Sequence, residues 1–254
     1  MSRFELIAYR SWYGPFRKPL RAIARRVTDK SSRIVWGPLK GRCYSGQELS
    51  CRLGIYELHV QYALEELLSA GETFYDVGAN NGYLSLLGAQ CVGESGMVYS
   101  FEPLPHNARC LEALMIQNRI DHYRLVQQAV SSRSGTIEFY QDDKSDSYTP
   151  SLIRNRRNRV IDVRTTTLDD FVVGHRQPDL IKMDIEGAEV MALVGATQLL
   201  AAANGPKWVI EIHSRENDQE VRRILLNHGY RLQTLPPPFP RRPYPSHLIA
   251  LKEA

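Results

Sequence analysis

From Val60 onward apolar side chains recur at positions 60, 63, 64, 67 and 68, the spacing of a helix that buries one face, and Gly71 ends it. The rhythm then changes. Thr73-Phe74-Tyr75-Asp76-Val77 is short and rich in β-formers, and a glycine-containing turn and an apolar run from Tyr83 to Val92 follow, which predicts strand, turn and helix. Met97 to Phe101 predicts a second strand. Pro103 and Pro105 lead into a helix through Ala108, Leu111 and Met115 that fades at Asn118, and Tyr123 to Val126 predicts a third strand. Residues 135–140 and 160–165 alternate like strands and read as an inserted pair, joined by a polar, arginine-rich, mobile connection over 141–159. Thr167 caps a short helix reaching Val173, with Asp169 and Asp170 in its first turn. Strand and helix then alternate again. Strands are expected at 179–183, 207–212 and 230–234, helices at 188–200 and 218–228, and a last strand at 246–251 after a proline-rich loop over 236–245.

Repeated strand–helix units with right-handed crossovers build a doubly wound α/β fold, with a crevice at the carboxyl ends of the strands. The final two strands are joined by a loop alone and should pair antiparallel. The expectation is therefore a Rossmann-like, mostly parallel seven-stranded sheet with a reversed last strand.

Charge divides the chain unevenly. Residues 1–42 hold 11 Lys/Arg against Glu5 and Asp29, a balance of +9, which leaves −5 for the remainder of a chain whose total is +4. We read 1–53 as a basic N-terminal extension with helical patterning and 54–254 as the main domain. The arm reads first as a solvated helix packed on that domain, with a peripheral membrane or acidic-partner contact as the alternative. No nucleic-acid contact is expected, because no aromatics are interleaved with a recognisable binding motif. Cys43, Cys51, Cys91 and Cys110 include no C-x-x-C pair, no stretch approaches the length of a membrane span, and the N-terminus lacks the apolar core of a signal peptide. A cytoplasmic protein is expected.

The first strand–turn–helix carries the chemistry. Gly78 and Gly82 let the backbone turn tightly near a ligand, Ala79 keeps the floor small, and Asp76 and Asn80 supply polar groups. A dinucleotide pyrophosphate would call for G-x-G-x-x-G and bare amides, whereas the pattern here is Gly-Ala-Asn-Asn-Gly beside a carboxylate. S-adenosylmethionine, which carries an ammonium and a sulfonium and no phosphate, suits that carboxylate. Glu102 closes the second strand, 20 residues after Gly82, where an acidic side chain can accept both ribose hydroxyl hydrogens. Tyr83, Pro103 and Ala129 complete the expected cofactor-contacting set.

The stretches from Tyr75 to Tyr83, Phe101-Glu102-Pro103, Thr167 to Phe171 and Ile181 to Glu189 together resemble the FkbM family of S-adenosylmethionine-dependent methyltransferases, over about residues 54 to 252. Gly54-Ile55-Tyr56-Glu57 resembles the segment that leads these domains, and Asn81 stands where many relatives have an apolar residue. The resemblance implies the class I methyltransferase fold and methyl transfer, commonly to a hydroxyl of a small metabolite or glycan.

Such a transfer needs acceptor oxygen, methyl carbon and sulfur in line, and removal of the acceptor's proton. Asp184 and Glu186 follow the fourth main strand, and Glu211 and His213 end the fifth on one side. His213 is the first candidate for the general base, since an unperturbed imidazole titrates near neutrality, with Asp184 or Glu211 orienting it or acting instead. Asp184, Glu211 and His213 are also competent to hold a divalent cation, a reading disfavoured by the lack of any dense ligand spacing. Lys182, between Ile181 and Met183, is expected to aim at a crevice or edge and to snorkel, and Glu189 to lie on the surface or pack a helix. Arg154, Arg156, Arg157 and Arg159 read as a solvated loop, with an acidic-substrate clamp as the alternative. Phe239 and Tyr244 sit in the proline-stiffened loop that could wall the acceptor pocket. N-methylation of a similar acceptor is the alternative to O-methylation, and a nicotinamide-dependent oxidoreductase and a non-catalytic scaffold are the competing classes.

Overall fold

A computed structural model describes residues 33–142, 158–236 and 245–252. Two short helices, α1 (Leu49–Leu53) and α2 (Leu58–Leu67), precede β1 (Thr73–Val77), α3 (Tyr83–Val92), β2 (Met97–Phe101), α4 (Pro105–Gln117) and β3 (Tyr123–Val126). Then come β4 (Ala129–Val130), β5 (Gly135–Asp142), β6 (Asn158–Thr166), α5 (Leu168–Val172), β7 (Leu180–Met183), α6 (Glu189–Val194) and α7 (Thr197–Ala201). The chain closes with β8 (Lys207–Ile212), α8 (Arg215–Asn227), β9 (Tyr230–Leu235) and β10 (Ser246–Lys252).

Seven strands form one sheet in the order β3-β2-β1-β7-β8-β10-β9. The first five run parallel and β10 pairs antiparallel with both β8 and β9. This is the doubly wound, class I Rossmann-like arrangement with a reversed last strand that the alternation predicts. β5 and β6 pair antiparallel, as expected of an insertion, and β4 adds to β6 to make a small three-stranded sheet.

Both faces of the large sheet are buried, so its central strands are apolar on both sides, successive residues facing opposite layers. Phe74, Val98, Leu180, Val209 and Ile249 pack with α2, α3 and α4. Tyr75, Tyr99, Ile181, Trp208 and Leu248 face the other way, toward α5 to α8. Ile34, Leu39, Tyr44 and Cys51, which precede the Gly54 boundary, join the first of these layers.

The helix expected over 188–200 is two short ones. The break falls at Gly195 and Ala196, and position 195 has to be glycine, because a Cβ there would lie 2.2 Å from the Ser131 carbonyl oxygen. Asp169 then accepts from the Gln198 and Leu199 amides and caps α7. Ser214 starts α8 three residues earlier than the apolar pattern indicates by accepting from the Asn217 amide. Among the described residues no helix is long and apolar enough to cross a membrane.

Candidate active site

The turn after β1 is fixed from below. Gly78 and Ala79 amides donate to the Phe101 carbonyl at 3.1 and 3.0 Å, and the Asp184 amide donates to the Val77 carbonyl at 3.0 Å. Gly78 adopts φ +79°, and a Cβ on it would lie 1.8 Å from the Asp184 carbonyl oxygen, so only glycine lets the β1 turn pass the end of β7. Three of the four described non-glycine residues with positive φ, Glu57, Asn80 and Glu186, gather around this place. Strain of that kind concentrates where a site over-determines the backbone.

A cavity of about 1020 Å³, counting its open mouth, runs along the carboxyl ends of β1, β2 and β7. Gly78, Ala79, Asn80, Tyr83, Glu102, Pro103, Ala129 and Asp184, all expected at the site, line it. Glu102 is 4% exposed, and its two oxygens each accept one backbone bond, from the Asn80 and Leu104 amides, at 2.9 Å. Burial pushes its carboxyl up to about 7, against the lowering effect of those amides. The Asn107 side chain hydrogen-bonds this carboxylate as well, and since a carboxylate can accept about four such bonds it keeps capacity for a further donor. Beside it Leu84, Phe101, Ile137 and Met191 give an apolar wall, and Asn107, Gln128 and Ser131 give polar edges, a lining suited to a nucleoside. Tyr56 closes one side and meets the Tyr83 ring edge to face at 5.6 Å.

Asp76 and Gly82 stand behind the cavity. Asp76 is fully buried, accepts from Ser85 Oγ at 2.6 Å, which in turn accepts from Ser100 Oγ at 2.8 Å, and faces Lys182 Nζ at 3.3 Å. Lys182, directly opposite Asp76 in the β1–β7 register, does not snorkel. It is 5% exposed, donates to the Gly78 carbonyl at 3.1 Å and lies 3.9 Å from Asp184. Burial works against its charge, yet Asp76, Asp184, Glu57 and Glu211 outweigh burial and raise its pKa. A snorkelling lysine needs water within reach; this one has a carboxylate instead.

His213 stands just past β8 among acids. Its Nδ1 lies 2.9 Å from Glu189 Oε1, and its Nε2 lies 3.4 Å from Glu186, 3.5 Å from Asp184 and 3.9 Å from Glu211. Burial lowers its pKa, but the Glu189 hydrogen bond and the surrounding carboxylates prevail and lift it to about 9. The ring is an imidazolium at neutral pH. Glu189, fully buried, packs the helix start: it accepts from the Gly187 amide at 2.9 Å and from Asn217 Nδ2 at 2.7 Å. Asp184, Glu211 and His213 do come together, with one ligand-type atom of each within 4.8 Å of the others.

The arm through residue 32, the side chains of Arg154, Arg156, Arg157 and Arg159, and Phe239 with Tyr244 lie outside the described residues. Glu57, His59 and His247, which sequence reasoning passed over, are brought beside Glu211 by α2 and β10. No local spacing announces them, since 188 residues separate the two histidines.

The model of the methyltransferase FkbM domain matches residues 76–232, more than half of the chain. Among solved structures, the FkbM methyltransferase of Methylobacillus flagellatus KT superposes with a TM-score of 0.54 at 17% identity, covering 80% of this chain. This chain spans about half, 52%, of that protein's length. An S-adenosylmethionine-dependent O-methyltransferase of Thermotoga maritima gives 0.50 at 14% identity over 91% of this chain and 70% of its own. A putative rRNA methylase of Clostridium thermocellum gives 0.50 at 12% identity over 77% and 95%. No curated protein matches in sequence. The fold and the matched domain agree: this chain belongs to the FkbM family of S-adenosylmethionine-dependent methyltransferases.

Proposed function

We propose that the acceptor is a hydroxyl of a small metabolite or glycan and that Asp184 takes up its proton. The cofactor, when bound, supplies an electrophilic methyl group on a sulfonium. Glu102 holds the ribose end, and the turn from Gly78 to Asn80 shapes the floor between that end and Asp184. The observation that carries the reading is the position of Asp184. Of the three expected catalytic side chains, Asp184, Glu211 and His213, it alone is part of the cavity lining, at the carboxyl end of β7. A neutral amine already carries its nucleophilic lone pair, whereas an alcohol gains most from a positioned proton acceptor. His213, held as a cation by Glu189, then serves as a positioning residue that fixes the Asp184 carboxylate at 3.5 Å. In the overall step the acceptor's O–H bond breaks, a C–O bond forms, the S–C bond breaks, and the proton goes to Asp184.

The test is incubation with labelled S-adenosylmethionine and metabolite and glycan extracts, with mass identification of the product. An O-methyl ether is expected, and Asp184→Asn should reduce its formation about 10²-fold or more while cofactor affinity changes little. An N-methyl product, or label entering RNA, would overturn the hydroxyl assignment.

A further inference from the structure

On the face of the sheet beneath α2, a second polar group lies beyond the cavity lining. Glu211 on β8 and His247 on β10 stand directly opposite in antiparallel register, and His247 Nε2 lies 3.2 Å from Glu211 Oε2. The start of α2 closes over them. Glu57 precedes this helix in the left-handed conformation and makes no capping bond with its side chain. Two residues on, His59 sets its Nε2 2.9 Å from His247 Nδ1. One ligand-type atom from each of Glu57, Glu211 and His247 lies within 4.8 Å of the others.

Two of these three groups present a buried atom without a hydrogen bond. His247 is 4% exposed, and its Nε2 approaches Glu211 without hydrogen-bond geometry. Glu57 Oε2 is buried in the same condition. Native interiors seldom leave such atoms unsatisfied, and two converging on a third acceptor call for a shared electrophile. We infer that Glu57, Glu211 and His247 bind one first-row divalent metal ion, with His59 as the outer partner that orients His247.

The His59–His247 contact accommodates this assignment: an imidazole that ligates through Nε2 carries its proton on Nδ1, and His59 Nε2, 2.9 Å away, can accept it in the place that a carboxylate, carbonyl or water takes behind most metal-bound histidines. The other cluster, Asp184–Glu211–His213, presents no buried atom of this kind: none of its ligand-type atoms is both buried and without a hydrogen bond. Charge favours a dication as well. Glu57 and Glu211 add to Asp76, Asp184 and Glu186, while Lys182 and His213 are the cations that face them. One imidazole with two carboxylates suits Mn²⁺ or Zn²⁺ better than a soft ion.

Metal binding here is independent of the acceptor reading and is measured without cofactor. The full chain, stripped by chelator, is titrated with Mn²⁺ alone while the paramagnetic resonance of the free ion is followed, and Zn²⁺ is then added in competition. One Mn²⁺ per chain, displaced by Zn²⁺, is expected. His247→Gln and Glu57→Gln should each weaken uptake about tenfold or more, and His59→Phe should weaken it too, whereas His213→Gln should leave it in place. Absence of stoichiometric uptake by the parent chain overturns the inference whatever the variants do. Equal uptake by His247→Gln and the parent, or loss confined to His213→Gln, overturns it as well. Thermal unfolding of each apo variant separates lost ligation from lost fold.

Discussion

Lys182→Met is the sharpest perturbation of the site's foundations. It keeps the apolar stem and removes the ammonium, so β7 still packs but Asp76 loses its counter-ion. Asp76 is fully buried and would keep the hydrogen bond from the Ser85 hydroxyl without a facing cation on β7. Breaking a buried pair by removing one partner costs about 3–5 kcal/mol, because the other charge remains in the interior. A solvent-exposed lysine would cost under about 1 kcal/mol. For a chain of this size each kcal/mol lowers Tm by about 2–4 °C, so a fall of about 6–20 °C is expected. Urea unfolding at constant m-value gives the free energy directly. Asp76→Asn in the same chain should return at least half of the loss, because no buried anion then faces the missing charge on β1; Asp184 and Glu57 keep the recovery short of complete. A single-variant loss below about 1 kcal/mol, or simple additivity in the double variant, would refute the idea that a buried ion pair supports the cofactor turn.

Two further outcomes follow from the same geometry. Glu102→Gln should weaken S-adenosylmethionine binding about tenfold to a hundredfold in calorimetric titration, the scale of a lost charge-assisted contact. In the parent chain the carboxyl, raised to about 7 by burial, binds the diol best when ionised, so affinity should be flat well above pH 7 and fall about tenfold per unit below it. The Gln variant should show no such slope. Gly78→Ala, forced into φ +79° with its methyl 1.8 Å from the Asp184 carbonyl oxygen, should lose more than about 1–3 kcal/mol and disturb cofactor binding, measured by denaturant titration and calorimetry.

The fold was legible because its signals are local. Periodicity of 3.6 or 2, proline before α4 and glycine after α2 and α8 place most elements to within a few residues, and strand–helix alternation then restricts the topology. The 188–200 helix failed at Gly195, a position whose need for glycine comes from the Ser131 carbonyl, some 60 residues away in sequence. Glu102 was legible because its spacing from the glycine turn mirrors a recurrent ribose contact. The character of Lys182 and His213 was not. A lysine between two apolar residues says nothing of the carboxylate on the next strand, and an imidazole's pKa depends on Glu189 and Glu186, which reach it from another loop and helix. The Glu57–His59–Glu211–His247 group is further still from local pattern, since antiparallel register and the seating of α2 create it.

The central claim is that the carboxyl ends of β1 and β2 hold the nucleoside of the methyl donor. A crystal structure of the chain with S-adenosylhomocysteine tests it most directly. The account predicts the ribose hydroxyls on Glu102 and the base against the wall formed by Phe101, Ile137 and Met191. Density for the nucleoside at another place, with the Glu102 carboxylate contacting only protein groups, would contradict it.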